Sequence, residues 1–237
     1  QVMTLATLRV AWAKSADLAA VTHGDMQPQD LTQAERFKSD LRRQQYVASR
    51  AMLRVILAEH TGAPASSFDL SADERGKPLC VDGPAISISH SGDTVACAVM
   101  DAGEVGIDIE FPGRPRDISG IAQRYFSPGE AEWLAAQSPD RFYMLWVLKE
   151  AWLKATGTGI AGGLDKLRCV VEPPHIRPLQ DSAPFSALWL YAVDDGYLGI
   201  ATIDAAPAAM QVHRWLPAQG AFVRDDRPVL VASSEAA

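Results

Sequence analysis

The sequence predicts an α+β protein built in two halves. Short segments with a period-2 apolar pattern recur along the chain, and helical spacing with start and stop residues appears in both halves. Phe111-Pro112-Gly113-Arg114-Pro115 interrupts regular structure between two runs that each read as strand, helices, then strands and hairpins. The expected halves are therefore 1–110 and 111–237.

At 237 residues and 48% apolar content, the chain can bury a proper core. Its formal net charge of −7 offers nucleic acid no overall attraction. Any anionic ligand needs a local basic patch, and Arg36, Lys38, Arg42, Arg43, Arg50 and Arg54 supply a candidate. Cys80, Cys97 and Cys169 stand singly in apolar surroundings, which suits reduced core residues. No run approaches the ~18 apolar residues of a membrane span, and Gln1 to Arg9 lacks a signal-peptide pattern. A soluble, cytoplasmic protein without membrane or nucleic-acid partners is expected.

Met3 to Trp12 reads as a first strand. Thr32-Gln33-Ala34-Glu35 has the spacing of a capping box and is expected to open a helix. Tyr46, Ser49, Leu53, Ile56, Leu57 and His60 mark one stripe of a second helix that stops near Gly62. After a short strand expected at Phe68 to Leu70, the polar turn 71–78 delivers Lys77 and Pro78 ahead of Leu79-Cys80-Val81. Ile86 to Ser91 and Thr94 to Met100 form a hairpin around Gly92-Asp93. Ser87, Ser89 and Ser91 share one strand face, and with His90 and Gly92 they give one strand end the short donors that oxyanions bind.

Val105-Gly106-Ile107-Asp108-Ile109-Glu110 alternates apolar with small or acidic residues, so Asp108 and Glu110 share a strand face. Their Cα atoms would lie roughly 6.6 Å apart at about 3.3 Å per residue, within reach of one divalent cation. Gly106 is expected to leave open space beside Asp108. Asp117 can cap a helix through Arg124, and Ser127-Pro128-Gly129-Glu130 is a second cap signature, so Glu130 has both a capping and a catalytic reading. Ser138-Pro139 opens the longest helix, on which Trp146, Lys149, Glu150 and Lys154 line one stripe up to a stop at Gly157 and Gly159. Beyond a glycine-rich loop, Leu167 to Glu172, Phe185 to Val193, Tyr197 to Ile203 and Met210 to Leu216 read as strands, and the tail from Pro217 carries no usable motif.

Taken in order, G-K-P at Gly76-Lys77-Pro78, S-H-S-G at Ser89 to Gly92, G-I-D-I-E at Gly106 to Glu110, and W-x-x-K-E-A-x-x-K at Trp146 to Lys154 with Gly157 and Gly159 resemble the Sfp-type phosphopantetheinyl transferases, in the branch with W and K-E-A. The resemblance implies a monomer of two pseudo-symmetric α+β halves with the active site in the cleft between them. It implies Mg²⁺-dependent transfer of the phosphopantetheine arm of coenzyme A to a serine of an apo acyl or peptidyl carrier protein, with release of adenosine 3′,5′-bisphosphate. Fatty acid, polyketide and nonribosomal peptide carriers are not distinguished. By motif, Asp108, Glu110 and Glu150 would hold Mg²⁺; Glu150, Lys154 and His90 would be catalytic. Arg36, Arg43, Lys77, Pro78, Ser89, His90, Lys149 and Lys154 would contact the coenzyme. The family arginine near Gln45 is missing, so Arg43 substitutes or that contact is absent. The general base could be Glu150, Glu130 or water. Arg114, Arg116, Arg124, Tyr125 and Phe126 are candidates for carrier docking. Two alternatives share these residues: another Mg²⁺-dependent nucleotide phosphotransferase or pyrophosphohydrolase, and a non-catalytic module that binds coenzyme A or a carrier.

Overall fold

A computed structural model describes residues 6–18, 26–113, 116–159, 163–225 and 228–234. Strand β1 (Ala6–Lys14) leads to helices α1 (Pro28–Glu35) and α2 (Asp40–Thr61), then to strands β2 (Leu70–Ala72), β3 (Pro78–Cys80), β4 (Ala85–Ser91) and β5 (Thr94–Met100). Strand β6 (Glu104–Glu110) is followed by α3 (Ile118–Tyr125), α4 (Pro128–Ala135) and α5 (Pro139–Thr156). The remaining strands are β7 (Cys169–Glu172), β8 (His175–Pro178), β9 (Ala187–Val193), β10 (Gly196–Ile203), β11 (Pro207–Leu216), β12 (Ala221–Arg224) and β13 (Val229–Ser233). The architecture is α+β, as expected. No described helix is long and apolar enough to cross a membrane.

The described residues divide into two compact units, one drawn from Leu5–Ala102 and Pro207–Asp226, the other from Gly103–Ala206 and Arg227–Ala237. This differs from the expected break after residue 110. Strand β6 belongs with the later residues because it pairs antiparallel with β10, Ile107 opposite Ile200. Strand β11 returns to the first unit because it lies parallel to β1, Val10 opposite Val212.

In the first unit the sheet order is β12-β11-β1-β5-β4. Helix α2 covers one face, burying Ala48, Met52, Leu53, Ile56 and Leu57 against Ala11, Val95, Cys97, Val99 and Trp215. It starts where the Ser39 side chain accepts from the Arg42 N–H and stops at Gly62, whose φ of 77° is left-handed. The expected helix start at Thr32 is corrected: α1 opens at Pro28, whose fixed φ suits a first turn, and Thr32 Oγ donates back to the Pro28 carbonyl at 3.0 Å. Helix α1 is tied to α2 by Asp30, 2% exposed, which accepts from Arg54 Nη2 at 2.8 Å and Nε at 3.2 Å.

In the second unit the sheet order is β6-β10-β9-β13-β8-β7. Helix α5 lies across it, burying Leu145, Val147, Leu148 and Ala151 with Leu188, Leu190, Ala201 and Val171. Glycines at the crossing bring the helix unusually near: a Cβ at Gly199 would sit 2.5 Å from the Val147 carbonyl oxygen. Asp117 caps α3, and the Ser127–Glu130 capping box opens α4.

Candidate active site

Asp108 stands opposite Gly199 in the β6–β10 ladder and is 7% exposed. The space expected beside it is not open. A Cβ at Gly106 would lie 1.8 Å from the Ala151 carbonyl oxygen, so the backbone of α5 fills that position. Both faces of β6 are thus covered, and the acidic face lies under a helix.

That helix brings Lys154, whose Nζ donates to Asp108 Oδ1 at 2.7 Å and to the Ile107 carbonyl at 3.0 Å. Glu150 lies one turn earlier. Burial, then the charge of Asp108, and to a smaller degree that of Glu110, push its carboxyl up to about 7, against the opposing pull of Lys154. Glu110 Oε1 pairs with Arg116 Nη2 at 3.2 Å. The three expected carboxylates and Lys154 therefore sense one another across β6 and α5.

Among the described residues, no three His, Cys, Asp or Glu side chains form a ready-made metal-ligand cluster. Asp108 is turned to Lys154 and Glu110 to Arg116, so the direct convergence expected from their spacing is not seen in this arrangement. The donor chemistry still suits magnesium, which takes oxygen ligands. Three carboxylates face two cationic partners, Lys154 and Arg116.

Trp146 accounts for the aromatic member of the stripe. Its ring centroid is 5.7 Å from that of Phe142 and 6.4 Å from that of Phe126. Lys149 requires a correction. It is 0% exposed, pairs with Glu130 Oε1 at 2.7 Å and donates to the Leu164 carbonyl at 2.7 Å and to the Leu167 carbonyl. A fully enclosed ammonium with these partners does not reach a coenzyme. Glu130 is equally enclosed: Oε2 accepts from Ser127 N at 2.9 Å and Ser127 Oγ at 2.8 Å, and Oε1 accepts from Cys169 N at 3.0 Å. Its capping reading holds, and burial removes it as a general base.

In the first unit, His90 is exposed at the end of β4, while Ser87 and Ser89 are buried. His90 Nε2 lies 3.0 Å from Arg42 Nη1, and Gln45 Nε2, on the same face of α2, donates to the Gly92 carbonyl at 2.6 Å. Arg43 is turned away, holding Asp40 Oδ1 and the Phe37 carbonyl, each at 3.0 Å. Arg36 is exposed at the end of α1, Lys77 N donates to Asp73 Oδ1 at 2.8 Å, and Pro78 begins β3. Sequence reasoning named Arg42 and Arg50 only as members of a basic run. The spacing of Arg42 and Gln45 along α2 was the available signal for the first. Arg50 is 9% exposed, its Nε 3.9 Å from Asp30 Oδ1, with Nε and Nη1 lacking a hydrogen-bond partner among the described residues and its guanidinium 5.3 Å from the Tyr46 ring centroid.

Of the docking candidates, Arg114 lies outside the described residues. Arg116 is engaged with Glu110, whereas Arg124 and Tyr125 are exposed, the guanidinium 5.3 Å from the ring centroid. Phe126 is corrected: it is buried and stacked on Phe142 at 5.6 Å.

Residues 104–201 match the family model of the 4′-phosphopantetheinyl transferase superfamily, and residues 32–100 match that of the 4′-phosphopantetheinyl transferase N-terminal domain. The 4′-phosphopantetheinyl transferase HetI of Nostoc sp. is 33% identical over 194 residues, 78% of this chain and 80% of its own. The 4′-phosphopantetheinyl transferase psf-1 of Bacillus pumilus is 33% identical over 186 residues, 75% of this chain and 78% of its own. The 4′-phosphopantetheinyl transferase Sfp of Bacillus subtilis is 35% identical over 155 residues, 62% of this chain and 67% of its own.

Proposed function

The chain belongs to the Sfp-type 4′-phosphopantetheinyl transferase family, and from that premise we propose that it moves the phosphopantetheine arm of coenzyme A onto a serine of an apo acyl or peptidyl carrier protein with magnesium as cofactor. The observation that carries this is the coupled set Asp108, Glu110, Glu150 and Lys154, in which Lys154 lies 2.7 Å from Asp108 and Glu150 is held up to about 7.

In the proposed reaction the carrier serine oxygen attacks the phosphorus that bears the pantetheine arm. The bond from that phosphorus to the bridging oxygen breaks, and adenosine 3′,5′-bisphosphate leaves. Asp108, Glu110 and one oxygen of Glu150 would hold Mg²⁺, which when bound supplies Lewis-acid neutralisation of the pyrophosphate. The other oxygen of Glu150 would take the serine proton, directly or through one water, because the motif stripe sets this carboxylate beside Lys154 and the metal ligands. Lys154 shifts between Asp108 and a substrate phosphate oxygen and neutralises charge on the leaving group.

The anionic end of the coenzyme is assigned to the first unit's basic groups. Arg42 and His90, with Nη1 and Nε2 3.0 Å apart, would bracket the 3′-phosphate, which makes Arg42 the proposed substitute for the family arginine missing near Gln45. By family motif, Ser89, Lys77, Pro78 and Arg36 are the further candidate coenzyme contacts of this unit. Arg43, committed to Asp40, is not assigned a contact. A cytoplasmic, monomeric enzyme is the proposed working form.

Chromatography of the small-molecule products tests this. With carrier, coenzyme A and Mg²⁺, the chain is expected to release adenosine 3′,5′-bisphosphate in step with carrier modification, and Glu150→Gln should stop both while retaining the fold. Release without a carrier would instead identify a pyrophosphohydrolase, and transfer at undiminished rate in EDTA would remove magnesium.

A further inference from the structure

Lys149 and Glu130 take no part in the chemistry above, yet every charged atom of both is partnered in the interior of the second unit. Lys149 spends its three N–H groups on Glu130 Oε1, the Leu164 carbonyl and the Leu167 carbonyl, and its Nζ lies 4.8 Å from the Phe126 ring centroid. Glu130 uses both oxygens, on Lys149, Cys169 N, Ser127 N and Ser127 Oγ. Both residues are 0% exposed. One ion pair thus joins the start of α4, the middle of α5, the 164–167 segment and the start of β7.

Its place around α5 gives it a consequence. At about 100° per residue, Ala151 and Lys149 lie roughly 160° apart around the helix. Ala151 is held against β6 at Gly106, and Val147 against β10 at Gly199. Lys149 fixes the opposite side. Glu150 and Lys154, about 40° from each other, lie on the flank between these two anchors, where Lys154 meets Asp108.

We propose that Lys149 and Glu130 are positioning residues: clamped opposite the sheet contact, they set the rotation of α5 about its axis and so hold Glu150 and Lys154 beside Asp108. This deepens the transferase reading and rests on it. The motif lysine then serves the reaction through the helix, without touching the coenzyme.

The test uses the full chain with coenzyme A, Mg²⁺ and an apo carrier, and compares Lys149→Met, Lys149→Gln, Glu130→Gln and the double variant Lys149→Met/Glu130→Leu. Turnover is expressed per folded molecule, with the folded fraction taken from urea unfolding. A displaced catalytic flank is expected to lower kcat by about 100-fold while the KM for coenzyme A stays within about threefold. Lys149→Gln keeps donors for the Leu164 and Leu167 carbonyls, so it should fold and lose less activity than Lys149→Met. The double variant leaves no unpaired buried charge but orphans Ser127 N, Cys169 N and the Leu164 and Leu167 carbonyls, so it should recover only part of the stability lost in Lys149→Met, without recovering kcat.

A rise in coenzyme A KM with kcat preserved would make Lys149 a coenzyme ligand and overturn the proposal. Unchanged kcat per folded molecule, or recovery of stability and kcat together in the double variant, would reduce the pair to fold maintenance and also overturn it. A wild-type chain without transfer activity would sink the transferase reading itself, an outcome distinct from an active wild type with normal variants.

Discussion

Alanine at position 106 tests how closely the catalytic helix and strand are set. Its methyl group would fall 1.8 Å from the Ala151 carbonyl oxygen and 2.5 Å from the Ala155 nitrogen. Both are backbone atoms, so no side-chain rotation relieves the clash. For the first contact to reach 3.0 Å, α5 must retreat by about 1.2 Å there. Lys154 travels with the helix, and its 2.7 Å bond to Asp108 would open to roughly 4 Å, beyond hydrogen-bond range. Overpacking of this kind costs about 1–3 kcal/mol, and a misplacement near 1 Å can lower turnover by about 100-fold. Urea unfolding and carrier modification assays should therefore show Gly106→Ala with a lower midpoint and a kcat reduced to about 1% of wild type. Gly129→Ala is the control, because nothing lies within 4 Å of a Cβ there. A Gly106→Ala protein with wild-type midpoint and kcat would refute the close setting of α5 on β6.

Stability of the metal-free chain should depend on Glu150. Its folded carboxyl binds a proton up to about 7, against an ordinary value of 4.5, so this contribution is full below 4.5 and is lost as pH rises through about 7. Allowing for partial solvent screening, about 1–2 kcal/mol is expected between those limits; urea midpoints in EDTA should fall with rising pH in wild type and stay flatter in Glu150→Gln. Arg42→Ala should raise the coenzyme A KM about tenfold and leave that for dephospho-coenzyme A unchanged; equal weakening of both donors would show that Arg42 does not read the 3′-phosphate. Arg124→Glu should raise the carrier KM several-fold without altering that for coenzyme A, and an unchanged carrier KM would remove Arg124 from the docking surface.

Local chemistry in the sequence reached far into this fold. The Asp108 strand, the hairpin at Gly92-Asp93, the α2 stop at Gly62 and the Ser127–Glu130 box all depend on residues a few positions apart, and the structure has each of them. What escaped was set by distant partners. Thr32 has the spacing of a helix start, but Pro28 and the buried Asp30–Arg54 pair place the helix four residues earlier. No neighbour of Pro207–Leu216 announces its parallel pairing with β1. Gly106 looked like open space because its occupant is the backbone of a helix some 45 residues on in the sequence. Lys149 shares a motif with Glu150, and only the arrival of Glu130 from α4 shows that its ammonium points inward. Strand period put Asp108 and Glu110 on one face, and helix period put Glu150 and Lys154 on one stripe; that the two pairs form one set was implied by the family resemblance.

The intact mass of an apo carrier protein, measured after incubation with this chain, coenzyme A and Mg²⁺ and again with EDTA, tests the central claim most directly. The account predicts a gain of one phosphopantetheine on the carrier serine with Mg²⁺ and none with EDTA. An unmodified mass across both acyl and peptidyl carriers, with coenzyme A bound to the folded chain, would contradict it.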